Sequence, residues 1–196
     1  MMKITNIFPF LLFFLSLSIA AQEAVEDVVS IGAGYANQVY YSLENGILKT
    51  EPKTNWDICM EQNGRYGAIR INSVNGVELY MVPNATKDDW ETVSINTGSI
   101  DFWDDIHNSD TSWVRGAFNV QHTSDPFDLG WGLYDFTTHD VIGDSIYVVK
   151  LSDDSYRKLV IEDLTDEVWT LKYADLDGGN ETNLVIDQND YPYRNF

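Results

Sequence analysis

Turn dipeptides punctuate the first third of the mature chain, and they dictate what it can become. Asn45-Gly46, Asn63-Gly64 and Asn75-Gly76 all fall within about 35 residues, and Asn-Gly between alternating segments is the strongest short-range hairpin signal, because the tight turn needs positive φ at both central residues. Helices of useful length do not fit between such turns, so the expected elements are antiparallel strands. QVYYSL places Val39, Tyr41 and Leu43 on one face ahead of the first turn. NWDICMEQ, YGAIRIN and VELYMV then read as a three-stranded meander, turned at Asn63-Gly64 and at Val74-Asn75-Gly76. Toward the C-terminus SIYVVKL, YRKLVIEDL and EVWTLKYADL predict a second meander, turning at Ser152-Asp153-Asp154-Ser155 and near Thr165-Asp166. In its last strand Trp169, Leu171 and Tyr173 alternate with Thr170 and Lys172, the period of a half-buried strand. NLVID around Val185 adds a short edge strand after a Gly178-Gly179 turn.

From Pro83 to Asp140 the texture changes to Asp, Ser, Thr, Asn and Trp without sustained periodicity. A stretch that long inside a compact domain is usually functional. The fold class expected is all-β: an antiparallel β-sandwich with a long irregular insertion between two meanders, from which loops or fingers project. No solenoid or propeller repeat and no dividing linker is visible, so one domain is expected.

One motif competes with this reading. Gly32-Ala33-Gly34 follows β-forming residues and resembles the start of a G-x-G-x-x-G dinucleotide loop, which must open a helix. Asn37 stands in the third glycine's place and Asn45-Gly46 follows too soon for that helix. Two glycines bending the chain into its first sheet account for the motif.

MMKITNIFPFLLFFLSLSIAAQ carries one lysine, an apolar run and small residues at Ala20 and Ala21. That is the pattern of a secretory signal peptide, and the run is shorter than the roughly 20 apolar residues of a membrane span. Residues 1–21 are therefore expected to be removed and residues 22–196 to form the β domain, with no membrane insertion after cleavage. No cysteine follows the run, so lipid attachment at a processed N-terminus is not supported. The chain's 31 acidic against 12 basic residues give a formal charge of −19. Such a surface disfavours nucleic acid, whose phosphates need clustered Lys and Arg, and anionic membranes for the same reason. Cys59, the single cysteine, has no internal disulfide partner and reads as a small buried hydrophobe.

The succession GAGYANQVYYSL, NWDICM with AIRIN and GVELY, FDLGWGLYD, and GDSIYVVKLSDDSYRKLVIEDL with KYADLDG resembles the HmuY-like family of exported proteins from Gram-negative bacteria. The similarity runs in order over nearly the whole mature chain. It implies a hand-shaped all-β sandwich with a cleft between loop elements, heme in that cleft held by two histidines, and an outer-membrane heme receptor as the partner. The matching strands do not extend to those ligands, so no histidine carries over residue by residue.

Heme needs axial ligands, an aromatic slot and donors for its propionates. His107, His122 and His139 all lie in or beside the irregular middle. His139, just before GDSIYVVK, is the leading axial ligand and His122 the second. Ring contacts are expected from Trp113, Trp131 and Tyr134, with Trp90 and Trp103 as further choices, and Arg115 is the cation for a propionate. Met60 and Met81 are thioether alternatives placed in strands. A loop histidine is ordinarily solvated, and aromatics ordinarily pack a core. Asp101, Asp104 and Asp105 crowd one segment and suggest a weak calcium site; DLDGGNETN lacks the glycine of a calcium-binding loop. No hydrolase, metalloprotease or P-loop motif is present, so no enzyme is expected. Trp56 is expected in the core and Asp57 toward an edge. Two functional readings remain: heme capture, and a non-heme adhesion, glycan-binding or structural module of a larger secreted protein, with Trp90 or Trp103 as its exposed platform. The oligomeric state is open.

Overall fold

The computed structural model describes residues 26–62 and 67–191, so the leader and the Asn63-Gly64 turn lie outside the described residues. Twelve strands are found there. β1 (Asn37–Ser42) and β2 (Gly46–Pro52) form a hairpin in which Ser42 faces Gly46, the turn expected at Asn45-Gly46. β3 (Ile58–Met60) pairs with β4 (Ile69–Ile71) in a second two-stranded sheet. The remaining strands build one antiparallel eight-stranded sheet: β5 (Glu78–Thr86), β6 (Asp105–Ile106), β7 (Gly132–Tyr134), β8 (Val141–Gly143), β9 (Ser145–Lys150), β10 (Tyr156–Thr165), β11 (Val168–Ala174) and β12 (Thr182–Asp187). Its main order is β12-β11-β10-β9-β5-β6.

The second meander stands as expected, with β9, β10 and β11 paired in sequence and β12 added after Gly178-Gly179. The turn at Thr165 is a two-residue hairpin whose central residues, Asp166 and Glu167, both take positive φ (49° and 66°). The first meander is corrected. β5 does not return along β4; it joins β9 and β6 in the large sheet. The crossing is made at Val74-Asn75-Gly76, where a single 3-10 turn (Ser73–Asn75) closed by a left-handed Gly76 at φ 79° carries the chain from one sheet to the other.

β9 is buried along nearly its whole length because both of its faces are covered. Tyr147 and Val149 point into a cluster with Ile69, Ile71, Leu79, Ile161 and Trp169, closed by the β3–β4 sheet and the segment around Phe118 and Trp131. Ile146 and Val148 point the other way, into a second cluster with Val160, Trp90 and Ile100. Period-two alternation on a central strand thus fills both layers of the sandwich. Ile100 comes from α1 (Thr97–Ile100), one turn whose N-cap Asn96 accepts from the Gly98 N–H.

Two side chains expected elsewhere belong to these layers, and one expected in the core does not. Trp131 is fully buried, donates its Nε1–H to the Gly67 carbonyl at 2.9 Å and packs on Trp169 at 5.2 Å. Trp90 is buried under Lys158, whose Nζ lies 4.2 Å from the ring centroid and donates to the Trp90 carbonyl at 2.8 Å. Neither ring can serve as an exposed platform for heme or glycan. Trp56 is only half-buried; the Trp56-Asp57 step is instead pinned through its backbone by buried Asn72, whose Nδ2 donates to the Trp56 carbonyl at 2.9 Å and whose N–H donates to the Asp57 carbonyl at 2.8 Å. Cys59 is half-buried, and desolvation pushes its thiol pKa up, away from reactive thiolate chemistry.

Candidate functional site

β8 and β9 run end to end along β10. Ile142 faces Asp163 and Ile146 faces Val160, with a register shift in β10 between Ile161 and Asp163 that absorbs the break. The hairpin of β7 and β8 is therefore the outward continuation of a buried core strand, and residues at its tip are held by the sheet. Gly143 makes this possible, since a Cβ there would stand 1.7 Å from the Ile161 carbonyl oxygen. A site built on strands in this way is held more firmly than one on a free loop.

The tip runs from Asp135 to Asp140. Asp135 N–H donates to the Asp140 carbonyl and His139 N–H to the Asp135 carbonyl, both at 2.8 Å, while the Asp135 carboxylate accepts from the Thr137 N–H at 2.6 Å. The Thr137 and Thr138 N–H groups hold the Asp135 pKa below its ordinary value. His139 takes φ 69°, a left-handed conformation uncommon outside glycine and costly without support.

Four rings meet there. Phe127 stacks on Tyr134 with centroids 6.2 Å apart, lies 6.4 Å from Phe136, and Phe136 sits edge-on to His139 at 6.2 Å. Tyr134 completes the circuit, its hydroxyl 2.5 Å from His139 Nδ1. The cluster is open to solvent: Phe127 is 44 % and Phe136 71 % exposed, and Leu133 and Ile142, which face each other across the hairpin, add further exposed apolar surface. Phe127 is brought in by the preceding loop, where its carbonyl accepts from the Tyr134 N–H at 2.9 Å.

His122 lies on that same loop but opens onto a different space. It lines a groove of about 380 Å³ together with His107, Met81, Trp103, Asp104 and Asp105. The histidine pair gathered by the fold is thus His107 with His122, whereas His139 is gathered with aromatic rings. The expected pairing of His122 with His139 is not among the contacts of either ring. Trp113 is exposed and stacks on the Arg70 guanidinium at 5.2 Å. Arg115 lines a small cavity of about 100 Å³ with Pro126 and Asp128, beside the Phe127 loop. Met60 lines an apolar groove of about 400 Å³ between β3 and β11–β12.

The calcium expectation at Asp101, Asp104 and Asp105 gains no support from the fold. Among the described residues no group of three or more His, Cys, Asp or Glu side chains converges to hold a metal ion. Asp101 caps α1 through its backbone, and Asp105 turns toward His107 at 3.5 Å. Burial, reinforced by Glu78, raises the Asp105 pKa.

Phe127 and Phe136 were not singled out by sequence reasoning, although both lie within FDLGWGLYDFTTHD. Two phenylalanines in a polar stretch, with no strand period to bury them, were the available signal.

These features define an all-β sandwich with an exposed aromatic finger that carries an imidazole. A family model described as HmuY protein matches residues 34–176, and the chain belongs to the HmuY family. Searches among curated proteins and among solved structures returned no match.

Proposed function

We propose that this protein is exported and binds heme on the β7–β8 finger, with His139 as an iron ligand. The observation that supports this reading is a single one: an exposed imidazole held among Phe127, Tyr134 and Phe136 at the tip of a hairpin continuous with the core, its Nδ1 occupied by Tyr134 and its Nε2 left for a metal. The residues present fit the group. A porphyrin offers an apolar face to Phe127 and Phe136, and apolar surface of that kind exposed on a finger suits a ligand rather than solvent. Bound heme would supply an iron that accepts a nitrogen lone pair in its axial position. This chain's own residues would orient the imidazole through Tyr134 and offer Phe127 and Phe136 to one face of the ring. Arg115 is the cation beside the loop, and an outer-membrane receptor is the partner to which heme would pass, as family membership suggests.

Titration of hemin into the purified protein, followed in the Soret region, tests the reading. Saturable binding at one site with a Soret band distinct from that of free hemin is expected, and His139→Ala should abolish or reshape the band. A His139→Ala protein that binds with the wild-type spectrum refutes ligation by this residue. His122→Ala separates the finger from the His107/His122 groove, because loss of the band there alone assigns the iron to the groove.

A further inference from the structure

We infer that Tyr134 is a positioning residue for His139: its phenol oxygen holds Nδ1, so that Nε2 is the nitrogen presented to a metal. The metal's identity rests on the heme reading above; the hydrogen bond itself does not.

Tyr134 is the fixed partner of the two. Its backbone pairs with Val141 across the hairpin and donates to the Phe127 carbonyl at 2.9 Å, its ring stacks on Phe127, and its body packs against the main core cluster. His139 sits on the loop, in the left-handed conformation at φ 69°, where the imidazole needs an external anchor to keep one orientation. The 2.5 Å contact supplies it. A hydroxyl can both donate and accept, so the contact survives either imidazole tautomer. With a metal on Nε2, the proton resides on Nδ1 and is donated to Tyr134 Oη. Metal-binding histidines almost always engage their second nitrogen in this way, which fixes ring orientation and raises the basicity of the ligating nitrogen. The other two histidines are placed differently. His107 directs Nε2 itself at Asp105, and the contacts of His122 to Asp128 are made by its backbone N–H.

Tyr134→Phe removes one oxygen atom and leaves the ring stack. In the protein without heme, nitrogen-15 spectra of the His139 ring should differ between wild type and Tyr134→Phe, with the Nδ1 resonance losing its hydrogen-bonded shift. Identical His139 spectra overturn the inference whatever the protein binds. With hemin, Tyr134→Phe should retain the wild-type Soret band position while its affinity falls about 10- to 100-fold, the usual effect of removing such a partner. Its iron reduction potential should rise, because a less basic imidazole stabilises the ferric state less. Unchanged affinity and unchanged potential overturn the inference as well. If wild type fails to take up hemin, the heme reading falls, and the nitrogen-15 comparison still decides whether Tyr134 sets the imidazole. A merely structural tyrosine would lower the melting temperature and leave the potential of the folded protein alone.

Discussion

The carboxylate of Asp128 accepts from the backbone N–H of His122 at 2.9 Å and of Thr123 at 2.8 Å, fixing the loop that delivers Phe127 to the finger. Its other oxygen accepts from the Gly130 N–H at 2.7 Å, and the side chain is only 2 % exposed. Asp128→Ala removes a buried charged acceptor and orphans several donors. It should cost about 3 kcal/mol or more, since hydrogen bonds to charged groups contribute roughly 1.5–3 kcal/mol each. The fall in the urea midpoint at unchanged slope measures it. A midpoint equal to wild type contradicts the role.

The same carboxylate gives the fold an acid-sensitive element. Burial acts to raise the Asp128 pKa, but the Gly130, Thr123 and His122 donors outweigh it and hold the folded value below that of an ordinary aspartate. For an acid with a depressed folded pKa, the stabilisation is fully present above the unfolded value and is lost as pH falls through the folded one. Thermal stability should therefore decline as pH falls below about 4, and Asp128→Asn should flatten that part of the profile. An unaltered slope in the variant would show that other carboxylates carry it.

Asp105 has the opposite sign. Burial and Glu78 raise its pKa, so its charged form is disfavoured in the folded protein and its contribution improves as pH falls. Asp105→Asn should melt no lower than wild type at pH 7. A clear loss of stability would mean that the contact with His107 outweighs the burial.

Trp131→Ala should destabilise by about 3–5 kcal/mol through the cavity it leaves against Trp169. Trp131→Phe, which retains most of the volume but loses the hydrogen bond to Gly67, should cost less and leave the hemin spectrum unmoved. A shifted spectrum in a stably folded Trp131→Phe protein would return this ring to the ligand site.

Much of the strand framework is legible in the residues. Asn45-Gly46 and the alternation of Trp169, Leu171 and Tyr173 encode local geometry, and each appears where the pattern puts it. Val74-Asn75-Gly76 misleads because a left-handed glycine serves both a hairpin and a 3-10 exit, and what selects between them is the distant partner of β5, not the turn. Trp131 and Trp90 mislead for a related reason. Both sit in stretches without strand periodicity, yet each is buried by a long-range contact, to Gly67 in one case and Lys158 in the other. His139 was readable from its place before β9, whereas its environment was not. The ring cluster joins Phe127 to residues seven to twelve positions later through a loop pinned by Asp128, and no sequence period records that closure.

On the proposed reading, the β7–β8 finger holds the iron. Anomalous diffraction at the iron edge, from crystals of this protein grown with hemin, locates the metal directly. A peak at bonding distance from His139 Nε2, with the porphyrin against Phe127 and Phe136, is the predicted result. A peak in the groove of His107 and His122, or on Met60, would contradict the account.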